Sequence, residues 1–467
     1  MFVFGCALVT LIIGYFAYGK LVDKIFQPDD RKTPALEYND GIDYVPLSVW
    51  RAFLAQLLNI AGTGPVFGAL MGAVFGPIVF LWIVLGSIFG GAVHDYMSGM
   101  ISARNGGASI AELFGVYFGS GPRLLMRFVS VALLILVGAV FITGPAMLLA
   151  VLTPDALNTN FWIVVILIYF TLSTFLPIDT IIGRFYPIFG AVLLIMAGGI
   201  LFNIMGGNYT LPDFTLANLH PAGLSPWPFL FVTVACGAIS GFHSTQSPII
   251  AKCIKSERQG RFIFYGAMIA EGIIALVWAG AGLAFYNSTG DLFSAIKLIG
   301  PSGVVKDISM GMMGNFGGLL AIIGVIICPI TSGDTAFRAA RLILAEILNF
   351  DQRSLTKRLV ITLPLLAVGG VLTQIDFSIL WRYFAWVNQT LATLALWMAT
   401  AYFFRIKRVK VSLLTGLPAI FMTAVTSTYI LKAKEGFGLA PSIGDPIGLI
   451  FMGIVTLFYV HKFWKAV

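Results

Sequence analysis

The residues of this chain best equipped for chemistry lie inside apolar runs. They are His94 and Asp95, His243, Glu271 and Asp334, joined by the neutral pair Asn388 and Gln389. A charge at the centre of a bilayer costs roughly 2.5–3.5 kcal/mol on insertion scales, so each one in an apolar run needs a reason. Such carboxylates and imidazoles carry protons, bind cations or tie helices together. For Asp95 the structural alternative is an ion pair with a nearby arginine at the membrane boundary. Being adjacent, His94 and Asp95 are expected to point to different helix faces and not to meet. Glu271 reads either as a carboxyl tying helices together or as a functional group. His243 falls in a stretch that reads as unwound, which favours function. Asn388 and Gln389 read as interhelical hydrogen-bonding groups. The run Thr331-Ser332-Gly333-Asp334-Thr335 sets hydroxyls and a carboxylate at one level, an oxygen shell suited to a cation, followed by Arg338 and Arg341. An isolated Ser or Thr would simply bond back to its own helix. The cysteines Cys6, Cys236, Cys253 and Cys328 are single and form no C-x-x-C, which argues against zinc or redox chemistry and for small buried hydrophobes. The chain has no G-x-x-x-x-G-K-[ST] loop, no H-E-x-x-H and no G-x-S-x-G elbow, so neither direct ATP use nor hydrolysis is indicated and no enzyme is expected.

The elements that must position these groups follow from composition. Of 467 residues, 58% are hydrophobic and only 11% are charged. A soluble domain carries about 25% charged residues. This excludes a cytosolic enzyme, a disordered protein and a disulfide scaffold, and leaves an all-α polytopic membrane protein. Apolar runs long enough to span begin with Phe2–Gly19. Others follow at about 47–75, 76–103, 124–152, 161–178, 185–206, 227–250, 262–286, 315–336, 358–374, 379–404, 411–431 and 446–464, which makes about thirteen transmembrane helices. The first lacks a basic leading region and reads as an uncleaved anchor rather than a signal peptide. With the N-terminus outside and the C-terminus inside, only Lys297, Lys306, Arg382, Lys432 and Lys434 of the 29 basic residues fall outside. The positive-inside rule explains that bias, and the +8 net charge then gives no reason to invoke nucleic acid. The long outside loop 287–314 reads as partly re-entrant or interfacial.

Two runs are interrupted alike. One reads Asn59-Ile-Ala-Gly-Thr-Gly-Pro65 and the other Gly237-Ala-Ile-Ser-Gly-Phe-His-Ser-Thr-Gln-Ser-Pro248. Proline suits the first turn of a helix, so Pro65 and Pro248 are expected to open second half-helices. Irregular backbone at membrane depth survives only where protein buries it or it lines a cavity. Two such breaks five spans apart point to a five-plus-five inverted repeat with a midplane site; kinked helices packed through small residues are the plainer alternative. The expected organisation is a peripheral first helix and loop (1–46), a first repeat (47–206), a second repeat (207–404) and two peripheral C-terminal helices (405–467).

Several short stretches stand out beside these breaks: Asp-Asp-Arg-Lys-Thr-Pro-Ala at 29–35, Asn-Asp-Gly-Ile-Asp-Tyr-Val-Pro at 39–46 and Ile-Ala-Gly-Thr-Gly-Pro at 60–65. Further along come Arg-Asn-Gly-Gly-Ala-Ser at 104–109, Ala-Cys-Gly-Ala-Ile-Ser-Gly-Phe-His at 235–243, Gly-Ala-Met-Ile-Ala-Glu-Gly at 266–272 and Val-Asn-Gln-Thr-Leu-Ala at 387–392. In these the chain resembles the carbon starvation protein A (CstA) family of bacterial inner-membrane transporters. Long members of the family run well beyond this length and differ at Thr331–Thr335, so the chain looks like a short branch. The resemblance implies a LeuT-type fold of the amino-acid/polyamine/organocation superfamily. It also implies cation-coupled import of peptides, or of small carboxylates such as pyruvate, across the bacterial inner membrane. An uncoupled facilitator or channel is the alternative, and a membrane sensor or scaffold is disfavoured because no soluble signalling domain is visible. A substrate carboxylate is expected at the half-helix N-terminus formed by Gly62, Thr63 and Gly64, where free N–H groups and the dipole favour anions. Gly241, Phe242, His243, Ser244, Thr245 and Gln246 are expected to complete that site. For coupling, the end of the first half-helix at Asn59, Ile60 and Ala61 is expected to face Thr331, Ser332 and Asp334, which would hold sodium. Proton coupling through Asp334, Asp95 or Glu271 is the rival. No cofactor is expected beyond the coupling ion, and no partner beyond the solute and the lipid bilayer.

Overall fold

The computed structural model describes residues 1–41, 43–175, 186–207, 209–350, 352 and 354–464. The expected inner loop at Arg184, the end of the run 161–178, and Arg353 and Lys465 lie outside the described residues. Among those described, every regular element is a helix. Nine helical stretches among the described residues are long and apolar enough to cross a membrane, ten if one bent pair counts as a span.

The first span joins α1 (Phe2–Phe16) to α2 (Tyr18–Phe26), and α3 (Pro34–Glu37) is a single turn in the loop that follows. Then comes the bent pair, α4 (Val49–Ile60) and a π-helical turn Gly64–Gly68 running into α5 (Ala69–Ala73), with 58° between its halves. Pro65 sits in the first turn after the break, where its missing N–H costs nothing. The next span, Ile78–Arg104, contains α6 (Ile78–Leu85), a π-helical turn Gly86–Gly91 and α7 (Ala92–Arg104). After it come α8 (Ile110–Phe118), α9 (Ser120–Leu152), α10 (Thr159–Ser173) and α11 (Tyr186–Met205).

The second interruption separates α12 (Pro226–Thr233) from α13 (Gly241–Ala251). It turns on Gly237, whose φ of +87° is a left-handed conformation that side chains with a Cβ rarely adopt. The expectation that Pro248 opens the second half-helix is corrected here. The helix already begins at Gly241, and Pro248 lies inside it. His243 through Gln246 are therefore helical rather than unwound. What starts the helix is a cap from another element, described below, and not the proline.

Beyond it lie α14 (Gly266–Phe285), α15 (Thr289–Ile347, interrupted at Gly300 and Gly314), α16 (Leu355–Leu372), α17 (Phe377–Arg405), α18 (Leu413–Lys432) and α19 (Pro441–Trp464). The stretch 287–314 is thus mostly helical. Three of the expected thirteen spans fall short of a continuous apolar crossing. Thr159–Ser173 has 15 residues, α12 and α13 are short pieces either side of a break, and α17 carries Arg382, Asn388 and Gln389.

The interior is built by α4, α7, α9, α13, α14, α17 and the second half of α15. Residues 92–103 of α7 are buried throughout. The rim is apolar and exposed, with Phe2 and Phe16 on α1, Val371 on α16 and Leu457 and Phe458 on α19. An exposed apolar surface of this extent fits lipid as its solvent. The multi-pass membrane architecture expected from composition holds.

Candidate functional site

Asp95, from α7, is fully buried beside the second break. Its Oδ1 lies 2.8 Å from His94 Nδ1 and its Oδ2 lies 2.9 Å from His243 Nδ1. The expectation that His94 and Asp95 do not meet is corrected: the imidazole folds back along the helix onto its neighbour's carboxylate. Nor is Asp95 paired with an arginine among the described residues. Arg104, at the end of the same helix, instead grips Glu257 through Nε and Nη2 at 3.0 and 2.9 Å.

An ionised carboxylate only accepts hydrogen bonds, so both imidazoles must donate through Nδ1. In a neutral imidazole the other nitrogen is then a bare acceptor. His243 Nε2 points at Glu271 of α14, 3.5 Å from its Oε2, and among the described residues neither Glu271 oxygen has a well-formed hydrogen bond, the Gly237 N–H being the donor that stands near the carboxylate. Two buried acceptors face each other there. Such an arrangement is costly unless a proton or a cation lies between them. The sequence shows the three residues but not their convergence, because Asp95, His243 and Glu271 come from three separate helices.

The two breaks pack directly on each other. A Cβ on Gly64 would fall 2.2 Å from Cys236 Cβ, and one on Gly62 would fall 2.3 Å from the Phe141 ring. Both glycines allow close approach, as expected, but the neighbour they admit is protein. Phe141 of α9 stands edge-on to Phe242, with centroids 5.8 Å apart, and contacts Phe384 of α17. A series of rings continues from Phe384 through Trp381 to Phe67 and Phe377.

The irregular backbone of the second break is satisfied by side chains from elsewhere. Gln389 Nε2 donates to Phe231 O, Trp82 Nε1 to Val234 O, and Ser87 Oγ to Gly237 O, all within 3.0 Å. Asn388 Oδ1 accepts from the Phe242 N–H at 2.7 Å, capping the first turn of α13. The interhelical role expected for Asn388 and Gln389 is present, and more specific than expected, since both hold the break. At the first break Asn59 and Thr63 are buried, and none of their side-chain polar atoms has a hydrogen-bond partner among the described residues. Gln56 Nε2 donates to Ser247 Oγ at 3.0 Å, bridging the two interrupted spans. Ser244 and Thr245 bond back to Gly241 and Phe242 carbonyls, and Gln246 donates to Thr245 Oγ1.

Residues 331–335 divide between two surroundings. Ser332 Oγ donates to Leu58 O at 2.7 Å, so α15 does meet the end of the first half-helix, one turn before Ala61. Thr331 Oγ1 donates to Cys328 O. Asp334 faces away, hydrogen-bonded by Ser173 of α10 and 3.6 Å from Arg338. The expected grouping of Asp334 with Ser332 around one ion is therefore not formed, because residues two apart on a helix point to different sides. Ser173 was not legible as its partner from sequence.

A cavity of ≈ 260 Å³ reaches Thr245, Pro248 and Ile249 of α13 from the end of the bundle that carries Lys252, Glu112 and Glu346. The ring series from Phe377 to Phe141 stands toward the other end of α17.

A sequence profile of the family described as "Carbon starvation protein CstA" matches residues 1–156, 144–287 and 293–429. An "Uncharacterized membrane protein" of Haemophilus influenzae is 42% identical over 347 residues, 63% of this chain and 93% of that protein. "Peptide transporter CstA" of Bacillus subtilis is 26% identical, with 98% of this chain and 96% of its own covered. "Pyruvate/proton symporter BtsT" of Escherichia coli is 28% identical over 57% of this chain and 46% of its own. Among solved structures, a manganese transporter of Eremococcus coleocola superposes with a TM-score of 0.56 at 13% identity, covering 91% of this chain and 99% of that one. At that identity the likeness is one of fold alone. With the profile matched along most of its length, the chain belongs to the carbon starvation protein CstA family.

Proposed function

We propose that this protein is a proton-coupled secondary transporter that imports a small carboxylate or a peptide across the bacterial inner membrane. The observation that carries the reading is the pair of buried acceptors, His243 Nε2 and Glu271 Oε2, facing each other beside the break of an interrupted helix. A proton shared there neutralises the contact, and its loss changes the fit between α13 and α14. Asp95 holds His243 in the tautomer that keeps Nε2 free. The names of two relatives, a peptide transporter and a pyruvate/proton symporter, support the substrate class and the ion. The sodium alternative at Thr331, Ser332 and Asp334 is the weaker reading, because Asp334 is engaged by Ser173 and Arg338.

In this reading the chain crosses the membrane thirteen times, N-terminus outside, with spans two to six and seven to eleven as a LeuT-type inverted repeat over 47–206 and 207–404. The substrate carboxylate meets the N-terminus at Gly64, with the unpartnered Asn59 and Thr63 as ligands once Phe141 swings away. His243 to Gln246, of which Thr245 lines the cavity, are proposed to complete the site once the packed breaks part.

The test is uptake of pyruvate and of dipeptides into proteoliposomes under an imposed proton or sodium gradient. One pH unit supplies about 1.4 kcal/mol per proton, enough for roughly tenfold accumulation at one proton per substrate. Accumulation driven by the proton gradient alone is expected. Accumulation driven only by sodium, or mere equilibration under both gradients, overturns the proposal.

A further inference from the structure

We propose that Cys236, His243 and Glu271 form a binding site for a divalent transition-metal ion of zinc-like softness, seated in the break of the second interrupted helix. The site uses the same imidazole and carboxylate as the proton relay proposed above, but it is a separate property, and it needs a cysteine that the relay does not.

Cys236 Sγ, His243 Nε2 and a Glu271 oxygen lie within 4.8 Å of one another, and all three residues are buried. Tetrahedral zinc holds nitrogen and oxygen at about 2.0–2.2 Å and thiolate sulfur at about 2.3 Å. Those bonds set nitrogen and oxygen about 3.4 Å apart, and sulfur about 3.6 Å from either. His243 Nε2 and Glu271 Oε2 are already 3.5 Å apart. The sulfur, within 4.8 Å of both, has about 1 Å at most to close.

Three features of the surroundings favour a metal. His243 Nε2 and both Glu271 oxygens make no well-formed hydrogen bond among the described residues, with only the Cys236 thiol and the Gly237 N–H close by, so lone pairs remain for an ion. His243 Nδ1 donates to Asp95 Oδ2 at 2.9 Å. A carboxylate behind a metal-binding histidine fixes the tautomer and raises the basicity of the ligating nitrogen. The charges also balance: a thiolate and the Glu271 carboxylate neutralise a divalent ion, which a bilayer interior demands. Ser240 Oγ, 3.5 Å from Cys236 Sγ, or a water completes four-coordination.

The donor set selects the ion. Sulfur with imidazole suits zinc, cobalt and cadmium, whereas magnesium and calcium prefer all-oxygen shells. Cys236 lies in the break, His243 in the first turn of α13 and Glu271 on α14, so a bound ion pins the break to its neighbour. It also occupies the place of the relay proton. Micromolar zinc is therefore expected to inhibit transport.

The experiment is cobalt titration of the purified full-length protein in detergent. One equivalent of Co²⁺ per chain is expected, with a thiolate-to-cobalt charge-transfer band and the intense ligand-field bands of tetrahedral cobalt, all displaced by Zn²⁺. Cys236→Ser and Cys236→Ala should each lose the charge-transfer band. Glu271→Gln should weaken affinity by about tenfold or more. Cys253→Ser should retain both. Each variant is compared at matched monodispersity, and the wild type alone already decides the main point. No stoichiometric cobalt in the wild type, or a charge-transfer band that survives in monodisperse Cys236→Ser, overturns the site. Proton-driven uptake in metal-free buffer is scored separately, so a failed metal site with intact coupling refutes this inference and leaves the relay standing.

Discussion

Asp95 spends both carboxylate oxygens on imidazole donors, and this fixes what the residues around it can do. In the proposed relay, the proton shared between His243 and Glu271 is the labile one. Glu271→Gln is the discriminating substitution. The amide keeps the size of the carboxyl and donates one N–H to His243 Nε2, imitating a permanently protonated glutamate. Exchange of substrate between equal pools should persist in this variant, while proton-driven accumulation falls to equilibration. Counterflow and gradient-driven uptake, measured in the same vesicles, check this. Loss of both would mean that Glu271 is structural, and retention of both would remove it from the coupling. A second residue-level expectation concerns Gly64. Its missing Cβ leaves the space that Cys236 fills. Gly64→Ala should therefore destabilise the fold by about 1–3 kcal/mol, the usual cost of overpacking a dense interior. Gly64→Ala combined with Cys236→Gly should recover part of that loss. Thermal unfolding of the single and double variants gives the coupling between the breaks, and simple additivity would show that the two glycine-rich stretches do not touch.

At the level of the elements, the sequence carries the interruptions plainly but not what holds them. The Gly62-Thr63-Gly64-Pro65 break is legible because glycine and proline have local conformational signatures. Gly237 is legible for the same reason. Pro248 misleads, since a proline that opens one helix can equally sit inside another when neighbouring groups satisfy the freed backbone. Here α13 starts at Gly241 under the Asn388 side chain, and nothing local announces a cap from a residue 146 positions away. The convergence of Asp95, His243 and Glu271 is invisible for the same reason: helix spacing reports neighbours along one helix, not across three. Caps at the ends of the bundle follow ordinary local rules. Asp376 accepts from the Ser378 hydroxyl and from the amides of Ser378 and Ile379 at the start of α17. These bonds, the hydroxyl's first, hold its carboxyl below the usual range. A depressed folded-state value contributes stability above the unfolded value near 3.9, and that contribution is lost as pH falls through the folded value. Asp376→Ala should cost about 1 kcal/mol at neutral pH. The difference from wild type should shrink as the medium is taken below about pH 4. A pH series of melting temperatures tests it, and a gap that stays constant into acid would show that the carboxylate is not the cap.

The whole molecule is asymmetric along the direction of its helices, and the proposed orientation turns that asymmetry into a prediction. At one end the cavity bounded by Lys252, Glu112 and Glu346 leads to Thr245. Toward the other, rings from Phe377 through Phe67, Trp381 and Phe384 to Phe141 close over the breaks. The cavity end also holds Arg104 and Arg258, paired with Glu257 and Asp30. In the orientation proposed above this end is cytoplasmic, and the conformation is then closed outward and open inward as far as α13. A single cysteine introduced by Thr245→Cys, in a background with Cys6, Cys236, Cys253 and Cys328 replaced by serine or alanine, reads this out. In inside-out vesicles a membrane-impermeant maleimide should modify it. In right-side-out vesicles it should remain protected, because the aromatic series lies between it and the outside. Substrate with an inward proton gradient should slow inside modification if transport closes the cavity in its cycle. A second cysteine variant, Ile249→Cys, lies nearer the mouth and should react faster from the same side. Modification of Thr245→Cys from the outside alone would reverse the orientation drawn from the basic residues. It would also turn the open cavity into the entry path rather than the exit, leaving the aromatic series as the inner gate.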